Sequence, residues 1–388
     1  MTTRRSPLVG IWILALVVAA CAGGPILANQ PASLQPEPSA TPGPAGASDP
    51  IAIRLPGDDA PHHRLTEWWY YTGHLRDVAT GARYGFEYVI FRAERGGFPV
   101  TWASHLAITD EGQQAFHYAQ RSVVGESVDL AAAAGFAFSL AADPTDPATL
   151  GRPAWTMQGV GGNDHLAARL SAAEAVAAGS PAGLGLDLAL HSAKPAVLQG
   201  GAGWIDFGPA GGSYYYSRTD LLASGSIVLD GRTLQVEGSA WFDHQWGDFI
   251  AVGGGGWDWF AVNLADGSDL TLSLVRAADG SYPLVYGTLV DRDGQVSHLD
   301  RTAFNVVVTK HWTSPRTGAS YPAGWTVTIP GQALTINLQP TVPDQELDTR
   351  ATTGVVYWEG SQVVSAVRNG RPLGGEGYVE LTGYGPGG

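Results

Sequence analysis

The densest run of ionisable and aromatic side chains is Trp241-Phe242-Asp243-His244-Gln245-Trp246-Gly247-Asp248, and Trp257-Asp258-Trp259 follows soon after. Alternate residues of a strand share a face. Phe242, His244 and Trp246 therefore point one way, and Trp241, Asp243 and Gln245 the other. His244 with Trp246 sets an ionisable ring beside an aromatic wall. A carboxyl group in such surroundings, Asp258 or Asp243, keeps its proton because burial disfavours the charged form. It can then act as an acid toward an apolar ligand, with the indole faces of Trp246 and Trp259 stabilising a developing cation. The competing reading makes Asp243 and His244 a buried hydrogen-bonded pair and the tryptophans core, since buried polar groups are usually satisfied for structural reasons.

Glu67 opens the run EWWYY at 67–71, which also holds Trp69 and Tyr71. Acids in cores are normally paired, so Glu67 reads first as a partner of Arg92 or Arg218 and second as a pocket acid. The face taken by His105 is left open by its uneven neighbours. Tyr214, Tyr215 and Tyr216 must alternate faces, so at least one ring lines a core or pocket. Arg218 in the same run suits a ligand carboxylate or a nearby acid. The candidate catalytic residues are thus Asp258, His244 and Asp243. The candidate ligand-lining residues are Trp246, Trp241, Trp259, Trp69, Tyr71, Glu67, His105 and Tyr215. No Gly-x-Ser-x-Gly elbow occurs, and no His-Glu-x-x-His or paired-Cys motif suggests zinc. The ten histidines are scattered, with His62-His63 the only adjacent pair. No metal and no cofactor is expected.

The elements that must position these residues read as strands. Residues 67–76 and 84–92 form one expected hairpin, and 102–109 with 115–124 the next. The stretch 125–183 is weaker, with a hairpin at Gly161-Gly162-Asn163-Asp164 and short helices at Ala131–Ala134 and Ala172–Ala178. Residues 184–191 alternate again. Asp230-Gly231, Asp266-Gly267, Asp279-Gly280, Asp293-Gly294 and Asn369-Gly370 supply the positive φ angles of tight hairpin turns. Strands joined this way form an antiparallel meander, which commonly closes into a barrel and so removes exposed edges. Four glycines, Gly253–Gly256, permit a reversal that would lay Trp257–Asn263 antiparallel beside Trp241–Trp246 and bring Asp258 to His244.

The chain of 388 residues is long enough for two domains, and 44% hydrophobic against 15% charged residues fits large cores. A net charge of −14 with only two lysines disfavours nucleic acid as a partner. Arg4 and Arg5 precede an apolar run from Leu8 to Ala20 that is short for a membrane span, and Val18-Ala19-Ala20-Cys21 has the form of a lipoprotein cleavage site. The expected arrangement is a signal peptide over 1–20, lipidation at Cys21, a Pro/Ala/Gly tether over 21–50, one barrel over 51–245 and a second over 246–388. The lipid chain would hold the protein on a membrane outside the cytoplasm, in the cell envelope.

The motifs EWWYYTGHL (67–75), SHLAITD (104–110), SYYYSRT (213–219), AWFDHQWG (240–247), WDWFAVNLADGSDLTLSLVR (257–276) and YVELTGY (378–384) resemble the family of AttH-like and carotenoid 1,2-hydratase (hydroxyneurosporene synthase) proteins, over roughly residues 55–386. The chain is most similar to bacterial lipoproteins of that family called secreted hydrolases. The resemblance implies an all-β chain of two consecutive lipocalin-like barrels and a hydrophobic small-molecule ligand of isoprenoid or lipid type. It also implies, as alternatives, a hydratase or cyclase acting on an isoprenoid double bond, or a structural role in the envelope. In the hydratases a His-x-Trp pair and a downstream Asp line the pocket. His244 and Trp246 match the pair. Asp258 is the nearest match to the acid, at a shorter spacing than the family's.

Overall fold

The computed structural model describes residues 49–141, 151–180, 182–249 and 254–385. Cys21 and the apolar run before it lie outside the described residues. The first barrel consists of β1 (Thr66–Asp77), β2 (Arg83–Ala93), β3 (Thr101–Asp110), β4 (Ala115–Val124), β5 (Phe136–Leu140), β6 (Trp155–Val160), β7 (Asn163–Arg169), β8 (Leu184–Ser192), β9 (Val197–Leu198), β10 (Trp204–Asp206), β11 (Gly211–Leu229) and β12 (Arg232–Phe249). They pair in the order β4-β3-β2-β1-β12-β11-β8-β7-β6-β5, with β9 and β10 on β11. Across the seam, Arg121 of β4 donates to the Leu140 carbonyl of β5 at 2.7 Å.

The second barrel consists of β13 (Gly254–Leu264), β14 (Asp269–Ala277), β15 (Leu284–Val290), β16 (Val296–Leu299), β17 (Asn305–Val308), β18 (His311–Thr313), β19 (Ser320–Pro322), β20 (Trp325–Ile329), β21 (Leu334–Pro340), β22 (Glu346–Asp348), β23 (Val356–Arg368) and β24 (Arg371–Leu381). Their order is β16-β15-β14-β13-β24-β23-β21-β20-β17, with β22 on β23 and β18–β19 a separate hairpin. The two nearly closed antiparallel sheets bear out the all-β, two-barrel fold. Every Asp-Gly and Asn-Gly pair read as a turn joins two paired strands.

Three expectations are corrected. The division after residue 245 falls inside β12, which stays hydrogen-bonded to β1 and β11 through Gly247 and beyond; the sheets part between Phe249 and Gly254. The tether does not reach residue 50, since Asp49 is held by Arg64 and by the Tyr214 hydroxyl. Ala131–Ala134 is not helical: Leu130 pairs back onto Ala137, and Ala131 takes a positive φ to make the reversal. The helix at Ala172–Ala177 forms, closed by a Ser171–Glu174 capping box.

The barrels meet along β1, β11 and β12 on one side and β13, β23 and β24 on the other. Tyr70, Val89, Trp241, Trp259, Ala261 and Tyr378 form a buried apolar cluster there. β1 and β12 are therefore buried on both faces, which fits a run of consecutive aromatics better than strict alternation with polar residues.

The interface also buries carboxyl groups. Tyr357 donates to Glu87, Tyr70 to Glu359 and Trp257 to Glu380, while one oxygen each of Glu87 and Glu359 has no partner. Burial pushes Glu87 up to about 8 and Glu380 up to about 7, and burial with the neighbouring Glu87 raises Glu359 well above the usual range. These groups stay protonated in the folded chain where the unfolded chain has lost its protons. The stability they contribute is complete below pH 4.5 and is lost as the pH rises through about 8. His105 at the same interface works the other way between its folded value, lowered to about 3 by burial, and 6.5. Raised carboxyls at the interface, Asp243 at about 6 among them, outnumber this lowered imidazole, so denaturant midpoints should fall from pH 5 to pH 8. Glu359→Gln should flatten that slope; a slope unchanged by the substitution would contradict the assignment.

Candidate active site in the first barrel

Three neighbouring strands carry the site. Glu67, Trp69 and Tyr71 project from β1, Phe242, His244 and Trp246 from β12, and Tyr214, Tyr216 and Arg218 from β11. The register sets Glu67 opposite Trp246, Trp69 opposite His244 and Tyr71 opposite Phe242. On the other side Tyr214 faces Trp246, Tyr216 faces His244 and Arg218 faces Phe242. Directly opposed residues share a face, so all nine side chains enter the interior of the first barrel. The single alternation rule that put His244 beside Trp246 holds.

His244 is fully buried and stacks on Trp69 with ring centres 4.6 Å apart; Trp246 lies at the same distance, tilted. Its Nε2 lies 2.9 Å from Glu67 Oε1. The segment before β1 closes the barrel end over this pair. From it, His62 brings Nδ1 to 2.8 Å from the same Glu67 oxygen, donates its backbone N–H to Oε2 at 2.9 Å, and stacks flat on Trp246 at 4.1 Å. Burial opposes ionisation of Glu67, but the hydrogen bonds from His244 and His62 outweigh it and hold the carboxyl below its ordinary value. Burial pulls His244 below its ordinary value, and Glu67 restores only part of that. The resting state is a glutamate anion receiving N–H bonds from two imidazoles.

A second polar group adjoins the first. Asp59, fully buried, accepts from the Tyr216 hydroxyl, from Arg218 Nη2 at 2.8 and 3.1 Å, and from the Gly161 N–H at 2.7 Å. Its backbone carbonyl accepts from Trp69 Nε1. The Tyr216 oxygen lies 3.4 Å from His244 Nδ1 and so links the two groups. Asp164 accepts from the Tyr71 hydroxyl at 2.9 Å, and burial raises it to about 6 against the pull of Arg218 and Tyr71. One end of the barrel thus holds a water-holding or proton-accepting carboxylate, a carboxyl partly protonated near neutrality and a wall of aromatic faces.

The remaining sequence candidates lie elsewhere. Asp243 points out of the barrel and accepts from Tyr215, Ser217 and Trp241. Trp259 donates to the Tyr215 hydroxyl at 3.0 Å, so Trp241, Asp243, Tyr215 and Trp259 bind the barrels together. His105 does the same through Tyr357 and Thr352. Asp258 does not reach His244. β13 pairs with β14 and β24, not with β12. Asp258 shares its face with Phe260 and Val262 of the second core, where Arg276, Tyr384 and Tyr282 hold it. The paired reading of Asp243 with His244 also fails, since adjacent strand residues face opposite ways. Glu67 is paired, but with histidines: Arg218 is taken by Asp59, and Arg92 by the His62 carbonyl and Glu94. Asp59, His62, Asp164 and Tyr216 were not singled out as site residues. The spacing His62-x4-Glu67 was the one available signal for the first pair.

The fold and the site define a two-barrel β-protein with an acid–histidine group inside its N-terminal barrel. The AttH-like family model matches residues 46–384, and the chain belongs to that family. It is similar to the crystal structure of an AttH protein from Nitrosomonas europaea, with 30% identity and a TM-score of 0.72, covering 88% of this chain and 99% of that one. It shares its fold with kievitone hydratase from Nectria haematococca, with 16% identity and a TM-score of 0.63, covering 85% of this chain and 93% of that one. No curated protein matches the chain.

Proposed function

We propose that the first barrel is a hydro-lyase site that adds water to a double bond of an apolar, isoprenoid-like molecule. The observation that supports this best is the group of buried Glu67 and His244 with half-buried His62, set between the faces of Trp69 and Trp246. Asp164 in its protonated form supplies the proton from the carboxyl oxygen that has no partner, while the other oxygen accepts from Tyr71, and the proton goes to one alkene carbon. The π bond breaks, a C–H bond forms, and the tertiary cation left behind lies against indole faces that stabilise it. Water forms the C–O bond and gives its proton to the Glu67–His244–His62 group. One water is added and the protein's protons balance. The central side chains are buried, so the substrate must enter by displacing the segment ahead of β1, which Arg64 pins through Asp49 and Asp248. The test is incubation of the full chain with a panel of acyclic isoprenoids in ¹⁸O-labelled water, with product mass as readout. A chain that retains such a molecule without converting it would be a binding protein instead.

The same proposal places the protein outside the cytoplasm, anchored by lipid on Cys21. Cys21→Ser should move the chain from the membrane pellet to the soluble fraction. A Cys21→Ser chain that still sediments would contradict the anchor.

A further inference from the structure

We infer that His62, Glu67 and His244 form a binding site for a divalent transition-metal ion, with zinc the best chemical fit. His62 Nδ1, Glu67 Oε1 and His244 Nε2 all lie within 4.8 Å of one another. Two imidazoles and one carboxylate are a donor set that zinc takes with a further position left open. Donor atoms across a tetrahedral ion stand about 3.3 Å apart. The present 2.8 and 2.9 Å contacts therefore need to open by roughly half an ångström, within the reach of side-chain torsions.

The surrounding hydrogen bonds point the same way. Metal-bound histidines nearly always hand their other ring N–H to an acceptor, most often a carboxylate. His62 Nε2 lies 3.7 Å from Asp58 Oδ1. His244 Nδ1 faces the Tyr216 oxygen, and Tyr216 in turn donates to Asp59. Two consecutive acids thus lie behind the two histidines, Asp58 within ion-pair range of His62 and Asp59 through the Tyr216 phenol. The proton count favours the ion as well. With Nε2–H given to Glu67, a neutral His244 turns the lone pair of Nδ1 toward the Tyr216 oxygen, whose own proton goes to Asp59. An ion bound at Nε2 would move the ring proton to Nδ1, where that oxygen can accept it, and so removes the conflict. Charge also balances better, because Arg218 and Arg92, the arginines that bond this network, are already matched by Asp59 and Glu94.

The site deepens the hydration proposal, since its open position would hold the water, but its test does not depend on turnover. The full chain is stripped with chelator and titrated with Co²⁺, followed by visible absorption, and then with Zn²⁺ as competitor. One Co²⁺ per chain should bind with the intense ligand-field bands of a four- or five-coordinate ion, and Zn²⁺ should abolish them. His62 is partly exposed, so His62→Ala should fold and should weaken binding about a hundredfold or more. Retained binding in both His62→Ala and His244→Asn would assign the ion to surface histidines and overturn the site, as would the absence of any bands. Hydration that persists unchanged after complete stripping would overturn the ion's part in the reaction and leave the hydration reading standing. Co²⁺ binding lost in His62→Ala, in a chain that hydrates nothing, would uphold the metal site and sink the hydration reading.

Discussion

Glu67→Gln is expected to lower turnover by about 10²- to 10⁴-fold, the range for removing a group that accepts or delivers a proton in the reaction. Glu67 is the convergence point of the site: three N–H groups, two from His62 and one from His244, bond to its two oxygens. An amide offers one oxygen and turns an NH₂ toward at least one of those donors. The charge that receives the water's proton is gone, and the histidines lose their common anchor. The aromatic walls remain, so substrate affinity should change much less than turnover. Loss of affinity with turnover per bound substrate preserved would place Glu67 in binding alone.

Asp59→Ala should be among the most destabilising single changes in the first barrel, at about 3–5 kcal/mol, because it strips the partner from a buried charge. Arg218 and Asp59 are both almost fully buried, and Asp59 also receives the Tyr216 hydroxyl and the Gly161 N–H. Cutting this carboxyl leaves three donors without an acceptor. It also removes one of the ties that hold the segment before β1 on the barrel it closes. Arg218→Met with Asp59→Ala should recover part of the loss, since an apolar replacement of a buried ion pair costs far less than breaking it. Denaturant unfolding of the single and double variants checks this. A single-variant loss below about 1 kcal/mol would show that water reaches the pair and that the barrel end is open.

Strand pairing was legible because the turn residues are explicit and each strand is bounded by them. Strand alternation also placed His244 and Trp246 correctly. Alternation assigns a face within one strand, however, and not the sheet that strand joins. That is why Asp258 was misplaced: the glycine-rich link carries β13 into a second sheet packed face to face on the first, rather than edge to edge. The same limit sent Asp243, Trp241, Trp259, Tyr215 and His105 to a pocket when they form the seam between barrels. In strands buried on both faces, aromatic content no longer marks an interior. Asp59 and His62 were illegible for another reason. They lie in irregular chain with no period to read, and their role depends on long-range closure over β1, β11 and β12.

Water addition inside the first barrel can be measured directly. Mass spectrometry of an acyclic isoprenoid incubated in ¹⁸O-labelled water with the wild-type chain and with Glu67→Gln measures it. The wild type should give a product one labelled water heavier, reduced at least a hundredfold in the variant. A labelled product formed equally by both chains, or none from any isoprenoid that the wild type demonstrably binds, would contradict it.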